Sequence, residues 1–298
     1  MTDAGHKMAG AGIASWGHGP SKVSMMRICW LLMLLWGVAI PVAAQSGSGS
    51  SSGQSTNVAA DEPVANPGRP TVSTPATITP VGYFQFETGV MGAWTSPEFF
   101  SQFNFNEVIK FSVSRWIELI ASSAPYVHAV SGGQTLNGTG GFGLGAQAIM
   151  HHGEGANPTI AVSYVGVAVD GNTPDLDIGS FRDSVTLLIS ADVRGFHFDN
   201  NYLFDMVEQS GVRRAEYGQS LSVSHSLGKD FGLSGEIWHF TQPFLNSNCV
   251  GNLWAVNYNA KKNLVLDAGF NYGFTSTSTK WEVVAGFTYV LPKKVNSR

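Results

Sequence analysis

Charge is scarce in this sequence. Only 13% of the residues are Asp, Glu, Lys or Arg, about half the share found in soluble domains, which argues against an ordinary water-facing surface. Long apolar runs are scarce too. Outside one segment near the N-terminus, nothing approaches the roughly 20 consecutive apolar residues that a membrane helix needs, and mean hydropathy is only +0.03. Apolar and polar residues must therefore be interleaved. A net charge of −4, with no Lys/Arg cluster, offers no basic field and excludes nucleic acid as a partner. Cysteine is almost missing: Cys29 lies in the apolar N-terminal segment and Cys249 stands alone. The mature chain accordingly has no internal disulfide and no paired-Cys metal motif.

Catalytic signatures are also lacking. There is no Gly-x-Ser-x-Gly elbow and no His-Glu-x-x-His pair. The adjacent His151 and His152 would point apart in a strand and lack further ligands. The glycine-rich run Gly138–Gly145 has no Lys-Ser/Thr after it, so it reads as a small-residue strand beside bulky neighbours rather than a phosphate loop. The expectation is a protein that is not an enzyme, with no cofactor and no metal.

What is present begins with an export signal. Met26 to Gln45 reads MRICWLLMLLWGVAIPVAAQ: a basic Arg27, a short apolar core from Ile28 to Ile40, and small residues ending at Ala44, as a cleaved secretory signal requires. Residues 1–44 are assigned to this signal and to sequence upstream of it, the residues before Met25 being read as lying ahead of the true start. Residues 45–79 are rich in Ser, Gly and Pro with little to bury, and are expected to form a disordered linker.

From residue 80 onward the pattern has period two, the mark of strands with one apolar and one polar face. In 263–275, Leu264, Leu266, Ala268, Phe270, Tyr272 and Phe274 alternate with Asn263, Asp267, Gly269, Asn271 and Gly273. In 184–194, Val185, Leu187, Ile189, Ala191 and Val193 alternate with Ser184, Thr186, Ser190, Asp192 and Arg194. Length decides between the alternatives: strands of soluble sandwiches run about five or six residues, whereas a tilted strand needs about 9 to 11 to cross a bilayer. Twelve such segments are predicted, near 80–94, 101–113, 116–128, 140–151, 158–169, 183–194, 196–207, 215–226, 231–241, 249–259, 263–275 and 280–290. Hydrocarbon offers no partner to an unpaired backbone group, so they must close on themselves. The predicted fold is all-β, an antiparallel transmembrane β-barrel of about 12 strands over 80–291, with a short tail at 292–298. Tight connections at 113–116, 227–230 and 259–263 contrast with longer ones at 130–139, 170–182 and 242–248, and such barrels carry short turns on one side and longer loops on the other.

The outward face would carry Phe84, Phe86, Val90, Leu187, Ile189, Leu266 and Phe270, with Trp94, Trp116, Trp254, Trp281 and Tyr289 placed for the headgroup level. The opposite face carries Gln85 and the lumen-facing candidates Glu87, Lys110, Glu118, Asp192, Arg194, Glu236, Asp267 and Glu282. Both signs occur there, so charge pairs that stiffen the barrel are expected rather than a selective site.

Several of these segments, TPVGYFQFETGVM (79–91), EVIKFSVSRWIEL (107–119), GTGGFGLGAQ (138–147) and the stretch 164–205, resemble the outer-membrane family named for the meta pathway of phenol degradation. The resemblance rests on Glu87 after an aromatic strand, Lys110 ahead of a Ser-Arg-Trp turn with Glu118 beyond it, and 179–183 leading into a long alternating strand. It departs at Gly166–Asp170, where the pattern has a Lys and a Pro-Thr-like pair, and at the C-terminus, where Leu291–Arg298 follow Tyr289. The resemblance implies a barrel in the bacterial outer membrane that moves hydrophobic or aromatic compounds. Its partners would be outer-membrane lipid, a small-molecule solute and the barrel-assembly machinery. The expected function is passive passage of small solutes through a lumen narrow enough to be plugged by loops or by the N-terminal segment. A membrane-embedded enzyme acting on lipid and a structural barrel without transport are the alternatives.

Overall fold

The computed structural model describes residues 62–171 and 180–295. The proposed signal at 1–44, the first part of the linker (45–61), the middle of the 170–182 connection and the last three residues lie outside the described residues.

Alternation of side chains across the pleat fixes the architecture. Among the described residues thirteen strands form, in chain order β1 (Phe84–Trp94), β2 (Ser101–Ser112), β3 (Ile117–Ser131), β4 (Gln134–Gly138), β5 (Phe142–His151), β6 (Thr159–Val169), β7 (Ser180–Val193), β8 (Phe196–Gln209), β9 (Val212–Leu227), β10 (Phe231–Gln242), β11 (Ser247–Lys261), β12 (Leu264–Gly273) and β13 (Trp281–Val290). Twelve of them pair antiparallel with their neighbours, and β1 pairs with both β2 and β13. The sheet is therefore a closed barrel with no free edge in its wall. The twelve expected segments are the twelve wall strands.

The extra strand, β4, falls where a loop was expected. Gly132 and Gly133, at φ of 58° and 77°, allow the tight turn that folds β4 back onto the end of β3. Below it β3 pairs with β5 instead. The switch follows Ala124-Pro125, where β3 carries one residue more than β2 opposite it; a proline without an N–H is tolerated at such a bulge.

The wall is inverted relative to a soluble protein. Tyr164, Val185, Phe204 and Tyr217 sit side by side on four successive strands, and each is more than 40% exposed. Inside, by contrast, Gln85, Glu118, Gln147, Asn201 and Ser220 are almost fully buried. An apolar belt outside with polar groups within suits a barrel surrounded by lipid. No helix among the described residues is long and apolar enough to cross a membrane. Trp94, Trp116 and Trp281 flank strand ends as expected, whereas Trp254 is the eighth residue of the 15-residue β11.

Two ends can be distinguished. The proximal end is where the chain joins β1 and leaves β13, and its connections include 113–116, 194–195, 228–230 and 262–263. The distal end carries 95–100, the β3–β4 hairpin, 243–246 and 274–280, and there β6 ends and β7 begins. Short and long connections thus segregate broadly, with exceptions at 152–158 (proximal, long) and 210–211 (distal, two residues).

The linker expectation needs correction. Residues 62–79 are not disordered: they run inside the barrel, and no residue from Pro63 to Val81 is exposed. Composition misleads here because the segment has few large apolar side chains of its own to bury. Polar groups of the wall hold it instead.

Candidate functional site: the lumen

A segment without regular structure must place its backbone donors somewhere once water is excluded. Here the wall supplies the acceptors. The N–H groups of Asn66 and Gly68 donate to Gln85 Oε1 (2.8 Å) and Glu87 Oε1 (3.2 Å). Those of Val72 and Ser73 donate to the two oxygens of Glu236 at 2.7 and 2.6 Å. Thr74 donates to Asn201 Oδ1 (2.6 Å), Ala76 to Ser190 Oγ (2.7 Å) and Thr79 to Glu118 Oε2 (2.7 Å). In the other direction, Gln147 Nε2 lies within 3.3 Å of the carbonyls of Pro75, Ala76 and Thr77, and Asn201 Nδ2 donates to the Thr74 carbonyl. Five prolines, at 63, 67, 70, 75 and 80, lower the number of donors that need a partner.

Two small apolar contacts complete the seat. Ala65 packs with Tyr83, Val265 and Val290. Ala76, with Ile78 beside it, packs on Ile149, Ala161 and Leu188. The segment starts at the proximal end, where Ala65 N donates to the Lys262 carbonyl. It passes β1, β12, β10, β9, β8, β7, β5 and β3 in turn and returns to the proximal end, where Gly82 N donates to the Ser112 carbonyl. It therefore occupies the proximal half of the lumen.

Charge pairs reinforce it. Lys110 Nζ lies 2.6 Å from Glu87 Oε1, both side chains under 10% exposed. Arg69 of the segment reaches Asp267 at 3.4 Å. Its guanidinium occupies space left by glycine: a Cβ at Gly89 would fall 2.0 Å from Arg69 Nη2 and 2.8 Å from the Ala285 carbonyl.

Of the eight lumen candidates, Glu87, Lys110, Glu118, Glu236 and Asp267 are buried together against the segment. Glu118 does not pair with Lys110 through a hydrogen bond; it accepts from Thr79 N, Thr79 Oγ1 and Ser112 Oγ. Glu282 lies apart, in the distal half, accepting from Asn271 Nδ2 at 2.8 Å. Asp192 is at the proximal rim, its carboxylate 2.8 Å from His197 Nδ1. Arg194 is not in the lumen: it is exposed in the two-residue turn between β7 and β8, with φ of 53°. The alternation that placed it inward ends one residue earlier, at Val193.

Other contributors were missed. Gln147, Ser190 and Asn201 occupy inward positions that the alternation of their strands could have supplied, while nothing local marks Arg69. His197 also engages Asp199 through Nε2 at 3.1 Å, and Ser190 donates to the same carboxylate at 2.5 Å. Both ring nitrogens of His197 thus face carboxylates rather than a serine, unlike the Ser–His pairing of acyl transfer. His151 and His152 diverge, one towards Asn157 and the other onto the Trp116 ring. Among the described residues no group of three metal-ligating side chains gathers.

The closed wall with its inserted segment can be compared with known structures. An outer membrane channel from Pseudomonas putida F1 has the same fold. That similarity has a TM-score of 0.57 at 13% identity and covers 72% of this chain and 98% of the other. The NanC porin (TM-score 0.49, 10% identity, 68% and 100% covered) and the KdgM porin (0.48, 12%, 69% and 98%) are more distant. No protein-family model matches the sequence, and no curated relative does.

Proposed function

We infer that this protein is an outer-membrane channel for passive passage of small solutes, acting without catalysis. The observation that carries the reading is the inverted wall: a closed barrel, apolar outside, whose polar interior is partly filled by the chain's own segment. The expected solutes are hydrophobic or aromatic, in keeping with the family resemblance of 79–91, 107–119 and 164–205. Export by the 1–44 signal, and assembly in the outer membrane through machinery that reads the internal Tyr289, belong to the same reading.

The test is conductance in planar bilayers together with flux into liposomes, comparing phenol-sized aromatics with sugars. Flux of either class supports a channel, and preference for the aromatics supports the solute class. A folded barrel silent to both would overturn the channel and favour a structural role.

A further inference from the structure

The distal half of the lumen is built differently from the half that holds the segment. On the inward face of β10, Trp238 and Phe240 lie with ring centroids 5.9 Å apart. Each ring rests where the wall has a glycine: a Cβ at Gly251 would fall 2.3 Å from Trp238 Cζ2, and one at Gly218 would fall 2.5 Å from Phe240 Cε1. Trp238 Nε1 donates to Asn271 Oδ1 at 2.8 Å, which fixes the indole in that position. The result is an aromatic floor.

A cavity of about 200 Å³ lies over this floor, lined also by Glu98, Glu216, Glu282 and Cys249. Next to Glu216 across the β8–β9 ladder stands Asp205, 9% exposed, with an Oδ1 that has no hydrogen-bond partner. Among the described residues, no Lys or Arg forms an ion pair with Asp205, Glu216 or Glu282. Nearby cations are engaged elsewhere: Arg213 with Glu208 at 2.8 Å, Arg214 with the Pro243 carbonyl at 2.7 Å, and Lys280 with the Thr275 carbonyl at 2.6 Å.

Glu216 and Glu282, without counter-ions and beside aromatic faces, suit one chemistry well, an ammonium carried on an apolar body. A neutral aromatic would leave the carboxylates uncompensated, and an anion would be repelled. The volume is below the roughly 300–1,000 Å³ of sites for drug-sized ligands, which limits the ligand to about one ring and a short arm. We propose that this cavity binds a small aryl- or alkylammonium ion. Its passage onward rests on the channel reading above; its binding does not.

The probe is benzyltrimethylammonium, titrated calorimetrically into the refolded full-length protein beside benzyl alcohol and benzoate. Saturable binding of the cation alone is expected, weakened about tenfold or more in Glu216→Gln and in Trp238→Phe. Cys249 reports the location: in a Cys29→Ser background it is the only thiol, and the cation is expected to slow its alkylation. Equal binding of benzoate, no effect of Glu216→Gln, or no protection of Cys249 would overturn the site. Should a variant fail to fold, the three-ligand comparison and the Cys249 protection decide in its place. A silent bilayer with intact binding would overturn only the channel, and conduction without cation binding only the site.

Discussion

Glu236 holds Ser73 through both of that residue's donors, the backbone N at 2.6 Å and Oγ at 2.5 Å. With Val72 N at 2.7 Å, three donors converge on one carboxylate from a neighbouring stretch of chain. In Glu236→Ala the two backbone donors lose their acceptor, at a cost of about 1–3 kcal/mol for each, while Ser73 Oγ keeps Ser220 Oγ at 2.9 Å. The wall ladder does not depend on this side chain, so release of the segment is expected before loss of the barrel. Limited proteolysis of the refolded protein checks it: new cleavage between 62 and 82 in the variant, with resistance equal to wild type counting against the anchor.

The Lys110–Glu87 pair makes a second prediction. Removing one partner of a buried pair leaves an uncompensated charge, typically costing about 3–5 kcal/mol, whereas removing both is far milder. Glu87→Gln is expected to destabilise more than the Glu87→Gln/Lys110→Met double variant. Urea titrations in micelles read the difference, and additive losses would mean that the two groups do not act on each other.

On the outer surface, Val185 stands near the middle of β7 between Tyr164 and Phe204. Val185→Arg places a charge in the apolar belt and is expected to cost about 2–4 kcal/mol, while Val185→Leu is neutral. Unfolding in lipid vesicles distinguishes them. An arginine tolerated there would remove the lipid from that face.

Gly251 makes a test of packing inside the barrel. A valine there would collide with the Trp238 indole and also lie within 2.7 Å of the Tyr272 carbonyl. Gly251→Val is expected to cost about 1–3 kcal/mol and to break the Trp238–Asn271 hydrogen bond, seen as a changed tryptophan emission. An unchanged spectrum would place the indole elsewhere.

Period-two alternation makes the wall legible because each strand is apolar on its outer side and mostly polar on its inner side; 263–275 and 184–194 carry it with one apolar inward residue each, Val265 and Leu188. The inserted segment is illegible for the opposite reason. Its binding energy resides in side chains far away in sequence, such as Glu236 for Ser73 and Asn201 for Thr74, so a local window containing Pro, Ser and Thr sees only material unable to bury itself. Arg194 shows the limit of alternation, which has no means of knowing where a strand stops. β4 was hidden because its turn is made by Gly132 and Gly133 inside a stretch that reads as loop throughout.

The inserted segment begins and ends at the same mouth of the barrel. It is a loop tucked in, not a thread drawn through, so the wall can close first and receive it afterwards. Withdrawal likewise needs no parting of strands: the hydrogen bonds to Glu236, Asn201, Gln147 and Glu118 can be exchanged for water while every rung of the ladder stays in place.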